Sequence, residues 1–163
     1  MWNAPKSALF LPDSRFMMAT LAAADDPPFV AVKSLVLNPR NPGRGEALIN
    51  SLVTLLDSET GRPLALLDGN WVTAIRTAAL STVAAKRLAR PDSTVAAFIG
   101  CGVQARSHLL AFEDTFPLRE IRVLGRGRLN QDALCRMGEE IGLSATVCRS
   151  AREAVDGADL IIS

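Results

Sequence analysis

Two basic residues stand in settings that ordinary surface charge does not occupy. Lys33 lies inside the apolar run Phe29-Val30-Ala31-Val32-Lys33-Ser34-Leu35-Val36-Leu37. Of 18 basic residues only Lys6, Lys33 and Lys86 are lysines, so a chain that uses arginine on its surface has put a lysine in a strand. An ammonium held in an apolar cleft binds a carboxylate or polarises a carbonyl or imine. The plainer reading is an edge-strand lysine whose stem snorkels to solvent. Arg76 lies in Thr73-Ala74-Ile75-Arg76-Thr77-Ala78-Ala79, with small and apolar flanks. Near the start of a helix it opposes the dipole, at a cost of a few tenths of a kcal/mol or more. A bound anion would offset that cost; an ion pair to Asp68 is the structural alternative.

A third feature points to a phosphate. The strand-like run Val95-Ala96-Ala97-Phe98-Ile99 leads into Gly100-Cys101-Gly102-Val103-Gln104-Ala105, a G-x-G-x-x-A turn ahead of a helical segment. Gly100 permits the tight turn. Gly102 lets a phosphate approach the backbone, and Ala105 lets the helix pack on the strand. The free N–H groups of the helix, Val103 onward, and its dipole then face the anion. Gln104 either donates to the ligand or caps the helix. This context marks Gly100, Gly102, Val103, Gln104 and Ala105 as a dinucleotide cradle.

The next strand end refines the ligand. An NAD-binding chain places Asp or Glu there for the ribose 2′-hydroxyl. Here Leu124-Gly125-Arg126-Gly127-Arg128 offers glycine and two arginines. Arg126 and Arg128 suit a 2′-phosphate, so NADP(H) is the expected coenzyme, with NAD(H) as the alternative. Solvated loop arginines are the plainer reading.

The elements that must position these groups follow from pattern. Phe29–Leu37 reads as a strand and Asn38–Gly45 as a loop. Ala47–Leu56 and Leu64–Leu67 form a hairpin through Asp57–Pro63. From Val72 to Ala89 the period becomes helical, with Lys86, Arg87 and Arg90 at the C-terminal end and Pro91-Asp92 as the stop. A domain boundary is expected there, giving domains 1–91 and 92–163. After it, strands at Val95–Ile99, Ile121–Leu124, Ala145–Cys148 and Asp159 onward alternate with helices at 103–113, 129–141 and 151–155. That is a parallel, doubly wound Rossmann-type α/β sheet. The run reaches Ser163 as a strand begins, so the reading is of an incomplete Rossmann sheet, expected to expose apolar surface on its own.

Composition sets outer bounds. The chain has 163 residues, 48% hydrophobic, with a formal net charge of +1. No apolar run approaches the length of a membrane span, and no basic excess suggests nucleic acid. The three cysteines, Cys101, Cys135 and Cys148, have no metal-ligand spacing and read as reduced residues of a cytoplasmic protein. His108, the single histidine, reads as a satisfied or surface helix residue rather than a base.

The ordered set Val32-Lys33, Asn38-Pro39-Arg40-Asn41, Thr60 to Gly69, Thr73 to Ala79, Gly100 to Ala105 and Ala158 to Ile162 resembles the ornithine cyclodeaminase/mu-crystallin family. The resemblance implies a homodimeric two-domain subunit. Its mixed α/β substrate and dimerisation domain is interrupted by a Rossmann domain. Family members transfer hydride between a nicotinamide and the α-carbon of an amino or imino acid. By position Lys33 and Arg76 match residues that grip the substrate carboxylate. Lys6 falls where many members have arginine, keeping the charge but losing the bidentate fork. The family's catalytic aspartate would lie beyond Ser163, so residues 1–163 alone are expected to be inactive. The first-choice activity is reduction of a cyclic imino acid. Ornithine cyclodeaminase and alanine dehydrogenase activities are the alternatives, and a non-catalytic NADP(H)-binding protein of mu-crystallin type is the alternative of another class.

Overall fold

The computed structural model describes residues 1–163 as two compact units, Met1–Thr73 and Ala74–Ser163. The first unit is one antiparallel sheet. Its strands are β1 (Trp2–Asn3), β2 (Ser7–Phe10), β3 (Phe16–Asp25), β4 (Pro28–Leu37), β5 (Ile49–Asp57) and β6 (Pro63–Asp68). The order is β1-β3-β4-β5-β6, with β2 also on β3. Sequence patterning assigned no element before Phe29. Phe16–Asp25 carries only one β-branched residue, Thr20, and becomes a strand because it pairs with β4 along its whole length. The expected hairpin is present as β5–β6. Its turn is fixed by Asp57, whose carboxylate accepts from the N–H groups of Glu59 and Thr60 and from the Thr60 hydroxyl. Those bonds hold the Asp57 carboxyl below the usual carboxylate range.

Register assigns the two faces. Thr20, Lys33, Val53 and Leu67 are successive cross-strand partners, so they share one face, as do Met18, Leu35 and Ser51. Leu35 and Val53 on that face are buried. Met17, Val36 and Asn50 define the other face, with Leu9, Leu21, Leu52 and Leu66. It is exposed, reaching 70% for Leu66.

Helix α1 runs from Gly69 to Leu88. It begins three residues before the expected Val72 because Asp68 caps it, accepting from the N–H groups of Asn70 (2.8 Å) and Trp71 (3.3 Å). The two units divide inside this helix, whereas the sequence pattern changes at Pro91-Asp92. The reason is packing: Ala85 and Ala89 rest on the core of the second unit, so most of α1 goes with it.

The second unit is a parallel sheet of β7 (Val95–Ile99), β8 (Glu120–Leu124), β9 (Ser144–Val147) and β10 (Leu160–Ile162), in the order β10-β7-β8-β9. The connecting helices are α2 (Val103–Glu113), α3 (Arg128–Glu140) and α4 (Ala151–Val155). Alternate residues of β7 feed different cores. Ala96 and Phe98 pack with Leu109, Ile121 and Leu134, while Ala97 packs with Cys148 and Ala154. Helices therefore cover both faces, and the doubly wound α/β expectation holds. Asp159 fixes the start of this sheet, accepting from the N–H groups of Thr94 (2.8 Å) and Val95 (3.0 Å) and pairing with Arg90. No helix of the protein is long and apolar enough to cross a membrane.

Candidate functional site

The glycine turn has the geometry that its sequence implies. Gly100 sits at φ 117°, a conformation that L side chains rarely adopt, and its N–H donates to the Leu124 carbonyl at 2.7 Å. Gly102 is the N-cap of α2, with no side-chain cap and no acidic residue in the first turn. A Cβ built on Gly102 meets nothing within 4 Å, so the space in front of the helix end is open. Ala105 is buried against the sheet core. The N–H groups of Val103 and Gln104 thus form an uncapped, positively polarised cradle of the kind that takes a phosphate. The side chain of Gln104 does not cap the helix.

The second glycine loop is welded to the first. A Cβ on Gly125 would stand 2.6 Å from Sγ of Cys101, so packing alone demands glycine there. The buried side chain of Gln131 donates to the Gly125 carbonyl at 3.1 Å. Beyond it Gly127 caps α3, again without a side-chain bond or an acidic residue in the first turn. Arg126 is exposed. Arg128 is 82% exposed, and its Nε donates to Asp132 at 3.1 Å. The two arginines are therefore not equivalent. Arg106, on α2, reaches across to Asn130 of α3 at 3.3 Å, while its own Nε is buried without an acceptor. Sequence reading passed over Gln131 and Arg106, since both depend on contacts between α2, α3 and the loop. Burial pushes the Cys101, Cys135 and Cys148 thiols up, so all three are inert, protonated residues.

His108 has a hydrogen-bond partner at each ring nitrogen. Its Nδ1–H donates to the Gln104 carbonyl at 2.7 Å, which leaves Nε2 to accept from the Ser81 hydroxyl at 2.9 Å.

In the first unit Lys33 lies on β4, between β3 and β5, so it is not an edge-strand lysine. Its ammonium donates to the hydroxyl of Thr73 on α1. That hydroxyl in turn donates to the Gly69 carbonyl. Thr73 is a residue that sequence reading missed as a partner, because 40 residues separate the two. Lys6 lies between β1 and β2, directly ahead of Ser7, and is exposed. Arg76 is exposed on α1. With the helix starting at Gly69, it falls in the third turn, beyond the reach of the helix dipole, so its position there needs no bound anion to offset a dipole cost. The alternative ion pair with Asp68 is also absent, since the Asp68 carboxylate caps the helix.

Known proteins resemble this chain in sequence and fold. The ketimine reductase mu-crystallin of Mus musculus is 42% identical over 111 residues, 68% of this chain and 34% of its own. A Delta(1)-pyrroline-2-carboxylate reductase of Bacillus cereus is 38% identical over 138 residues, 82% of this chain and 42% of its own. The solved Delta(1)-pyrroline-2-carboxylate reductase of Thermococcus litoralis, in complex with NADH and L-proline, superposes with a TM-score of 0.92 at 32% identity. That match covers 98% of this chain and 50% of the other. An archaeal alanine dehydrogenase dimer with bound NAD gives 0.85 at 33% identity, over 94% of this chain and 47% of the other. This chain thus spans half or less of the length of these relatives. The model of the ornithine cyclodeaminase/mu-crystallin family matches residues 3–163, and the chain belongs to that family.

Proposed function

We propose that the protein is an NAD(P)H-dependent oxidoreductase that reduces a cyclic imino acid of the ketimine or pyrroline-2-carboxylate type. The observation that carries this reading is the uncapped α2 N-terminus behind the open Gly102 cradle, in a chain whose relatives include ketimine and pyrroline-2-carboxylate reductases. When bound, the nicotinamide coenzyme supplies the hydride. Gly100, Gly102 and the N–H groups of Val103 and Gln104 hold its pyrophosphate, with Ala105 keeping α2 close to the sheet. Arg126 meets a 2′-phosphate, and Arg128 adds charge once it leaves Asp132, so NADP(H) is preferred to NAD(H).

Lys33 and Arg76 bind the substrate carboxylate, with Lys6 adding a third positive charge. Neutralising that carboxylate removes its repulsion of the arriving negative charge and fixes the ring beside the coenzyme. Domain 1–91 is the substrate-binding and dimerisation part and 92–163 belongs to the coenzyme-binding domain. The exposed sheet face of Leu9, Met17, Leu21, Val36, Leu52 and Leu66 is where two subunits meet, as an apolar surface of this kind requires cover. Three reduced cysteines fit a cytoplasmic location.

The test is coenzyme oxidation by the full-length protein with Δ1-pyrroline-2-carboxylate, Δ1-piperideine-2-carboxylate, and pyruvate plus ammonia. The expected result is turnover of a cyclic imino acid, faster with NADPH than NADH. Turnover of pyruvate plus ammonia alone would make the protein an alanine dehydrogenase. Coenzyme binding with no turnover, and no cyclisation of ornithine, would make it a binding protein of mu-crystallin type.

A further inference from the structure

We infer that Asn70 is a positioning residue of the carboxylate site, acting through the first turn of α1 on Thr73 and Lys33. The inference rests on the reading that Lys33 grips the substrate carboxylate. Asn70 is the second residue of α1. Its Nδ2 donates to the carbonyl of Ile49 at 2.9 Å, and its Oδ1 accepts from the hydroxyl of Ser51 at 2.9 Å. One carboxamide therefore uses both of its ends on the start of β5. The helix also touches β5 directly. A Cβ on Gly69 would lie 2.6 Å from Ser51 Oγ, 2.7 Å from Ser51 C and 2.8 Å from Leu52 N. Two of those atoms are backbone and cannot swing away.

The same strand sets Lys33. β4 pairs with β5 so that Lys33 faces Val53. Both halves of the Lys33–Thr73 contact are thus hung on β5: the lysine through the sheet register, the threonine through Asn70 and Gly69. Thr73 follows Asn70 by one helical turn, and its hydroxyl bonds back to the Gly69 carbonyl at 2.5 Å. A lysine has a long flexible stem, and an ammonium is a point charge with no fork of its own to fix direction. Its placement comes from the acceptor that it meets. Releasing Asn70 lets the helix start drift from β5, and the ammonium follows its threonine.

The experiment uses the full-length protein with the cyclic imino acid that it turns over. KM, kcat and coenzyme Kd are measured for wild type, Asn70→Ala, Asn70→Asp, Ser51→Ala and Lys33→Met. Asn70→Ala should raise KM about 10-fold with kcat much less affected, as a misplaced substrate clamp does, and coenzyme Kd should not move. Ser51→Ala should act in the same direction more weakly, and it decides the matter if Asn70→Ala fails to fold. Asn70→Asp presents a carboxylate to the Ile49 carbonyl at neutral pH and should be worse than alanine. When acidification protonates that carboxyl it can donate again, so its KM relative to wild type should recover as pH falls. A merely structural role would also lower the melting temperature and weaken coenzyme binding, so Tm and coenzyme Kd are read beside KM. If Lys33→Met leaves KM unchanged, the carboxylate reading itself fails. If Lys33→Met raises KM while the Asn70 and Ser51 variants keep the wild-type value, or the pH recovery is missing, the positioning role is overturned.

Discussion

Gly125 and Cys101 press the two glycine loops of the second unit together. A side chain at position 125 would begin 2.6 Å from the Cys101 sulfur and 3.3 Å from its Cβ. Glycine at the end of β8 is therefore set by packing. Gly125→Ala should destabilise the protein by about 1–3 kcal/mol, the usual cost of overpacking. Cys101→Ala in the same chain should recover most of that loss, although each change alone is unfavourable. Chemical denaturation of the four proteins of this cycle checks the coupling, and simple additivity would show that the contact does not matter.

Coenzyme choice is expected to rest on Arg126 more than on Arg128. The Arg128 guanidinium is already shared with Asp132, while Arg126 stands exposed at the mouth of the loop. Arg126→Ala should weaken NADPH binding about 10-fold, one charge-assisted contact at an exposed site, and leave NADH binding unchanged. Arg128→Ala should cost less. Titrating both coenzymes into each variant measures this, and equal loss for NADPH and NADH would remove the 2′-phosphate from the account.

The second unit was legible in the sequence because its signals are local. Val95–Ile99, Val103–Glu113 and Ala151–Val155 each carry their own period and their own stop, and the glycine turn is a contiguous motif. The first unit hid more. Phe16–Asp25 is rich in alanine and methionine, and only its pairing with β4 makes it a strand. The start of α1 depended on a carboxylate cap from Asp68, not on apolar spacing. The candidate site divides the same way. Lys33 and the glycine cradle show in the sequence as a residue out of place and a spacing. Thr73, Asn70 and Gln131 matter only through bonds to distant segments.

Acid should loosen the second unit through Asp159. The N–H groups of Thr94 and Val95, with Arg90 beside them, hold its carboxyl below the usual value of 3.8. A depressed folded value means stabilisation that is present above the unfolded pKa and lost as pH falls through the folded one. Asp159→Asn should therefore melt below wild type at pH 5–7, and the two should converge below about pH 4. Thermal melts across that range test it. A difference in Tm that stays constant down to pH 3 would mean that the charge of Asp159 is not what clamps β7 and β10.

Association should depend on the open face of the first sheet. Met17 and Leu52 lie on that face and are about half exposed, at 47% and 44%. Met17→Glu with Leu52→Glu puts two charges where an apolar contact is expected, so the dimer should dissociate at concentrations where wild type holds together. Sedimentation of the full-length protein reads the outcome directly. A double variant that stays dimeric places the subunit interface elsewhere.

Recognition of the substrate carboxylate is expected to depend most on Arg76. This side chain is exposed on α1, the Asp68 carboxylate caps the helix, and its flanks are small and apolar. Under the proposed function this guanidinium forms a bidentate pair with the substrate carboxylate. Arg76→Ala should lower kcat/KM by about 2–4 kcal/mol with NADPH affinity unchanged, since the loss falls on substrate alone. Arg76→Lys should recover only part, because an ammonium keeps the charge but not the fork. A cyclic imine without a carboxylate separates charge recognition from general damage. Wild type and Arg76→Ala should reduce it at the same low rate, because neither has a carboxylate to hold. If the alanine variant is equally impaired on both substrates, Arg76 supports the fold of α1 and the carboxylate is bound by other groups.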